Sequence, residues 1–337
     1  MDDHALIKMT NKRMNVLSQR FCRRIIVLIS GALLASGNLS AEKAPGSESQ
    51  PDVIMTEERL RRDQEADGTN FDRGAYGRVV HLYGDSISRG IGFMDFEDPS
   101  PLSRIQGIAD LLLRENGVPS TDLVVRYAWS QDPRRVKSEI RAGLVRPGDV
   151  VVYQDAGPHE NVIDERRARL QNFINAVPLT DPRIELILTT TFDYDPPPSY
   201  ENSRYDEPVA GSNLSMNALL LKTAASENVS VLDWNSQMDA EVSGMAPFGV
   251  SLMREEGVHP NALGNFALAI SLLQRLGIEI KSWESVANEF AQINDERVRK
   301  LSLVPPLKRS DIDRILASIA KLVKEPENSK SNGQPRE

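Results

Sequence analysis

Cysteine is almost absent from this sequence, and several patterns that would indicate a function are missing with it. The single cysteine, Cys22, allows no intramolecular disulfide, so folding depends on a hydrophobic core, for which 337 residues are ample. The sequence has no HExxH, CxxC or EF-hand spacing and no glycine-rich phosphate loop. We therefore expect neither a metal ion nor a cofactor.

Positive charge is also scarce. Lysine and arginine number 40 against 48 aspartates and glutamates, a formal net charge of −8. Nucleic acid binding needs a positive surface that neutralises phosphates, so we expect no nucleic acid partner. The apolar run at residues 25–35 is well short of the ~20 residues that cross a bilayer.

Residues 1–41 have the composition of a secretory signal peptide: basic residues, then the apolar run, then small and polar residues as far as Ala41. The alternative is a retained amino-terminal anchor. The segment holds six of the 40 basic and two of the 48 acidic residues, so cleavage near Ala41 would leave 34 against 46, a charge of −12. We expect a periplasmic or secreted protein without stable membrane insertion after cleavage.

Short apolar runs alternate with segments of helical apolar spacing between residues 76 and 280. This alternation favours an α/β fold with a mostly parallel sheet. The predicted strands are residues 79–83, 123–128, 150–154, 184–191 and 229–233. The flanking residues 42–75 and 325–337 are polar and charged, and we interpret them as a flexible linker and a disordered tail.

Residues 281–324 are predicted to form a helical extension of two helices, with Ser282 and Ser310 as their caps. Each helix has an apolar face that needs a partner surface. The α/β domain or a second subunit would provide it, so a homo-oligomer formed through these helices is one expectation.

The first predicted strand runs directly into Gly84-Asp85-Ser86. In an open α/β sheet, ligands bind at the carboxyl ends of the strands, so Ser86 is a candidate nucleophile. Its backbone N–H would point at a developing oxyanion. Asp85 is better interpreted as a turn-forming residue whose side chain caps the helix after Ser86.

A second motif, Glu256-Gly257-Val258-His259-Pro260-Asn261, precedes an apolar helical pattern. A carboxylate three residues before a histidine can hold one ring nitrogen and leave the other to accept a proton from a serine. A helix-capping or buried structural role is the alternative for His259.

Together the two motifs resemble the GDSL/SGNH hydrolase superfamily over about residues 76–280. The resemblance implies a three-layer flavodoxin-like sandwich with a five-stranded sheet. It also implies ester hydrolysis by a triad of Ser86, His259 and Glu256, where the superfamily usually has aspartate in place of Glu256.

This sequence departs from the superfamily pattern at two oxyanion donors. Gln131 stands where a glycine is usual after the second strand, although its backbone N–H is retained. Gly157 stands where an asparagine amide is usual after the third. The nearby side chains of His159 and Asn161 are candidate replacements, while Asp155 is more simply structural.

The resulting hypothesis is an exported serine esterase that removes a short acyl group, such as O-acetyl, from a small-molecule or polysaccharide ester. Two alternatives stay open. One is a weakly active or inactive glycan-binding domain, which the missing donors favour. The other is an O-acyltransferase that passes the acyl group to a second sugar.

Overall fold

The computed structural model describes residues 73–89, 100–129, 131–155, 163–191, 208–239, 248, 250–253, 259–293 and 307–323. All of them belong to the unit Val53–Glu337. The strands are β1 Arg78–Gly84, β2 Leu123–Trp129, β3 Val150–Gln154, β4 Glu185–Thr189 and β5 Ser230–Leu232. The α-helices are α1 Ser86–Arg89, α2 Ile105–Glu115, α3 Pro133–Arg141, α4 Ile163–Thr180, α5 Pro208–Glu227, α6 Trp234–Asp239, α7 Ala262–Arg275, α8 Glu284–Gln292 and α9 Arg309–Leu322. Short 3₁₀ helices cover Arg73–Ala75 and Pro101–Ser103.

The five described strands form one parallel sheet in the order β2-β1-β3-β4-β5. This is the flavodoxin-like order, in which the chain starts near the centre of the sheet and winds outward first on one side and then on the other. The α/β class and the parallel sheet predicted from the alternating pattern are confirmed.

Side chains of alternating residues along each central strand enter two separate cores. Leu82 and Val152 face a core completed by helices α2, α7, α8 and α9. Tyr83 and Tyr153 face the opposite core, with α4 and α5. Because successive strand residues point to opposite faces, the apolar strands require a helical layer on each side, and the three-layer sandwich follows.

The fourth strand is shorter than the predicted 184–191. It ends at Thr189, because the next two residues form hydrogen bonds with partners other than β3. Thr190 N–H donates to the Leu232 carbonyl at 3.1 Å, and Thr191 N–H donates to Asn217 Oδ1 at 2.8 Å.

The two carboxyl-terminal helices pack on the α/β domain itself. Val286 and Phe290 of α8 and Ile315 and Leu316 of α9 belong to the core that also contains α2 and α7. The N-cap positions are Trp283 and Lys308, and neither makes a side-chain capping bond. The predicted cap Ser310 is therefore wrong, because it lies inside α9. Ser282 lies one residue before the N-cap of α8, and its hydroxyl oxygen accepts from the Glu284 N–H at 3.4 Å.

The amino terminus of α8 is capped by a residue distant in sequence. Glu115, at the end of α2, accepts from the backbone N–H of Glu284 at 2.7 Å and of Ser285 at 2.9 Å. Carboxylate oxygens thus serve two of the N–H groups that a helix leaves unbonded at its start.

Candidate active site at the reversal of strand order

The sheet reverses its direction of winding between β1 and β3, which are adjacent in its centre. In open α/β sheets, the crevice at the carboxyl ends of two such strands is where ligands bind. Ser86 follows β1 directly and Asp155 follows β3 directly. Topology alone therefore places Ser86 at the expected binding crevice.

The turn that carries Ser86 is held by its neighbours. Asp85 Oδ1 accepts from the Ile87 N–H at 2.9 Å, so the aspartate caps the first turn of α1, as predicted from the sequence. The Tyr127 hydroxyl, from β2, donates to the Asp85 carbonyl at 3.0 Å. The Tyr127 bond holds the backbone just before Ser86 against β2, and the Asp85 bond fixes the turn around Ser86.

His259 lies at the same edge of the sheet, that is, at the carboxyl ends of its strands, because of the direction of α7. Arg275, at the end of α7, donates to Ser230 at the beginning of β5, so α7 runs antiparallel to the strands. At 1.5 Å per residue its 14 residues rise about 20 Å. The first turn of α7, and His259 just before it, therefore lie at the carboxyl edge.

The segments that carry the two candidate residues also lie on one face of the sheet. Ile87, in the helix of Ser86, and Ala262 and Leu263, just after His259, are members of the same apolar core. His259 is itself buried, with 5% of its surface exposed. The described backbone thus places the two segments that carry Ser86 and His259 at the same edge and on the same face of the sheet.

Asn261 anchors the segment of His259. Its Oδ1 caps α7 by accepting from Leu263 and Gly264, and its amide donates to the carbonyls of Ser251 and Met253. A Cβ on Gly264 would lie 2.2 Å from the Leu252 carbonyl oxygen, so this contact requires glycine. The asparagine of the sequence motif therefore has a structural role.

Several predicted site residues lie outside the described part of the structure. They are the side chain of Ser86 and the residues Gly157, His159, Asn161 and Glu256. The triad and the replacement oxyanion donors accordingly stay predictions.

A chain of polar side chains crosses the carboxyl ends of the central strands. Gln131, after β2, donates from Nε2 to the Gln154 carbonyl at 3.1 Å. The Ser88 hydroxyl of α1 donates to Gln154 Oε1 at 2.5 Å. Sequence reasoning missed Ser88 and Gln154, although a glutamine at the end of the apolar run Val-Val-Val-Tyr was the available signal.

Asp155 forms a buried ionic cluster beside this chain. It pairs with Arg166 at 2.6 Å and Arg169 at 3.5 Å, both from α4. Burial raises the pKa of the Asp155 carboxyl even though the two guanidinium groups oppose the shift. These contacts agree with the structural role expected for Asp155, because they tie the end of β3 to α4.

His81 belongs to a buried network toward the opposite edge of the sheet, where the central strands begin. Its Nε2 lies 3.2 Å from Asp149 Oδ2, and Asp149, just before β3, also accepts from Arg73 at 2.7 Å. Burial lowers the pKa of His81, although the hydrogen bond to Asp149 opposes the shift. This histidine is structural.

The described residues contain neither a metal centre nor a membrane-spanning helix. Within the described ranges, no group of three His, Cys, Asp or Glu side chains is placed to hold a metal ion. None of the described helices combines the length and apolarity needed to cross a membrane.

The fold and the crevice define an α/β protein of the flavodoxin-like class with a serine at its switch point. No protein-family model and no curated protein matches the sequence. Among solved structures, the chain is similar to a putative GDSL-like lipase from Parabacteroides merdae (16% identity, 60% of this chain, 97% of that one, TM-score 0.45). An acetylxylan esterase from Geobacillus stearothermophilus is similar too (17% identity, 62% and 98% coverage, TM-score 0.43).

Proposed function

We propose that this protein is a serine ester hydrolase that uses Ser86 as nucleophile. The observation that carries the proposal is the placement of Gly84-Asp85-Ser86 at the strand-order reversal, with the segment of His259 at the same edge and on the same face. A nucleophile and a base carried by separate segments must meet at one edge of the sheet before they can act together.

The proposed reaction has two steps. Ser86 attacks the ester carbonyl while His259 accepts the hydroxyl proton, and His259 then gives that proton to the departing alcohol. Water hydrolyses the acyl-enzyme with His259 acting again as base, which releases the acid and restores Ser86. Glu256 is assigned the positioning of the His259 ring.

The proposed substrate is a short acyl ester, with O-acetyl on a carbohydrate as the preferred case. The superfamily resemblance and the secretory character of residues 1–41 support this choice, together with a periplasmic or secreted location. Expression of the full chain in a Gram-negative host, followed by sequencing of the mature amino terminus, tests the location. A chain that still begins at Met1 and stays in the cytoplasmic fraction would contradict export.

Hydrolysis of p-nitrophenyl acetate and of acetylated xylo-oligosaccharides tests the activity. Ser86→Ala and His259→Ala are expected to lower kcat about 10³-fold or more while circular dichroism stays unchanged. Ser236→Ala is the matched control, because this exposed serine also lies near the start of a helix that follows a strand. Its activity is expected to equal that of the wild type.

Two results would overturn the proposal. One is a folded wild-type protein that neither turns over these esters nor reacts with a fluorophosphonate at Ser86. The other is full esterase activity in Ser86→Ala. If the first result is found, binding of the oligosaccharide by the inactive protein, unchanged in Ser86→Ala, would favour the glycan-binding alternative.

A further inference from the structure

The side-chain amide of Gln154 stands out among the buried polar groups near Ser86. Gln154 is fully buried, and its Oε1 accepts from Ser88. Its Nε2 has no hydrogen-bond partner in the described structure. A buried donor without an acceptor costs folding free energy, so such a group calls for a reason.

The amide lies next to the turn that carries the nucleophile. Tyr83 and Tyr153 are partners in the register of β1 with β3, so Gln154 comes level with Gly84, two residues before Ser86. Its Oε1 is 3.0 Å from the position that a Cβ would take on Gly84. The side chain therefore lies across the carboxyl end of β1.

Gln154 also lies on the face of the sheet that carries the candidate site. Val150 and Val152 of β3 contribute to the core shared with α1 and α7, and Gln154 alternates onto the same face. The amide thus lies on the same face of the sheet as the helix of Ser86 and the helix that follows His259.

We propose that the Nε2–H group of Gln154 is an oxyanion donor of the esterase reaction. This inference rests on the proposed function. The superfamily resemblance leads one to expect an asparagine after β3, but Gly157 stands at that position. The side-chain amide of Gln154, at the end of β3, supplies the same kind of donor. In a water-excluded crevice, such a donor stabilises the charge that develops on the carbonyl oxygen.

The test compares variants of the two partners, Gln154 and Ser88, in p-nitrophenyl acetate hydrolysis. Gln154→Met removes the donor at similar volume, and we expect kcat to fall about 10²- to 10³-fold with little change in KM. Ser88→Ala removes the partner of Oε1 but leaves Nε2 in place, so we expect a loss of less than about tenfold.

Equal losses in Gln154→Met and Ser88→Ala would overturn the inference, because Gln154 would then act only by holding α1. If Gln154→Met does not fold, Gln154→Glu replaces it, since glutamate has the same size and retains an acceptor for Ser88. Full kcat in Gln154→Glu at about pH 9, where the carboxylate is ionised, would overturn the inference as well.

These results are distinct from a failure of the proposed function. If the wild type is active and Ser86→Ala is not, but Gln154→Met keeps its kcat, only the role of Gln154 is wrong. If the folded wild type is inactive and Ser86 does not react with a fluorophosphonate, the esterase proposal fails and the role of Gln154 fails with it.

Discussion

The hydroxyl of Ser88 and the amide oxygen of Gln154 meet 2.5 Å apart directly over the backbone of Gly84. This contact joins the helix that follows β1 to the end of β3, the two strands between which the winding reverses. The geometry leaves no space for a side chain at Gly84. The glycine of the Gly-Asp-Ser motif is therefore explained by packing, since it lies in an extended strand.

Gly84→Ala is expected to lower the free energy of unfolding by about 1–3 kcal/mol and to reduce the proposed esterase activity, because overpacking must displace α1. The new Cβ would lie 2.3 Å from Ser88 Oγ and 2.8 Å from Ser88 Cβ. Urea unfolding and kcat measurements check this. In the double variant with Ser88→Gly, the stability loss should be smaller than the sum of the two single losses, and strict additivity would contradict the explanation.

Arg166→Met is expected to destabilise the protein by about 3–5 kcal/mol, because it removes the closer cation from a buried carboxylate. Arg166 and Asp155 are both buried, with a shortest separation of 2.6 Å. Arg167→Met is the matched control, since this neighbour in α4 is exposed. Combining Arg166→Met with Asp155→Asn should recover part of the loss in urea unfolding, and no recovery would argue against the ion pair.

Glu115→Ala is expected to cost about 1–2 kcal/mol, because it uncaps α8. Burial by itself would raise the pKa of Glu115, but hydrogen bonds from Ser282, Ser285 and Glu284 outweigh it and lower the pKa. The stabilisation is therefore present above the ordinary carboxyl pKa and is lost as pH falls through the lowered value.

Urea unfolding at neutral and acidic pH should show the effect of Glu115→Ala shrinking on acidification. Glu227→Ala, at an exposed helical position, serves as the control and should show little change. An equal loss at both pH values would contradict the capping role.

His81→Gln is expected to flatten the pH dependence of stability just below pH 6.5, the ordinary pKa of histidine. Burial depresses the pKa of His81, so in this range the unfolded chain binds a proton that the folded chain does not. The free energy of unfolding of the wild type therefore decreases as the pH is lowered. This residue contributes at most about 1.4 kcal/mol per pH unit to that decrease. Identical slopes for variant and wild type would show that His81 does not titrate in this way.

Much of the framework was predictable from the sequence, because it depends on local patterns. The apolar runs predicted all five of the strands in the described residues, and β3 has the predicted bounds of 150–154. The overlong prediction for β4 reflects side-chain and backbone partners of Thr190 and Thr191 that lie on other elements. The cap of α8 was missed for the same reason, since Glu115 precedes Glu284 by 169 residues.

The sequence by itself determined the periodicity of each element, the glycine–aspartate–serine turn and the acid–histidine motif, because each is written within a few neighbouring residues. Only the tertiary structure decided that the Gly-Asp-Ser turn and the segment of His259 share one edge and one face of the sheet. It also decided that the carboxyl-terminal helices cover the α/β domain and that Gln154 lies across the end of β1. Those arrangements depend on the order of strands and the direction of α7, which are set by packing between distant segments.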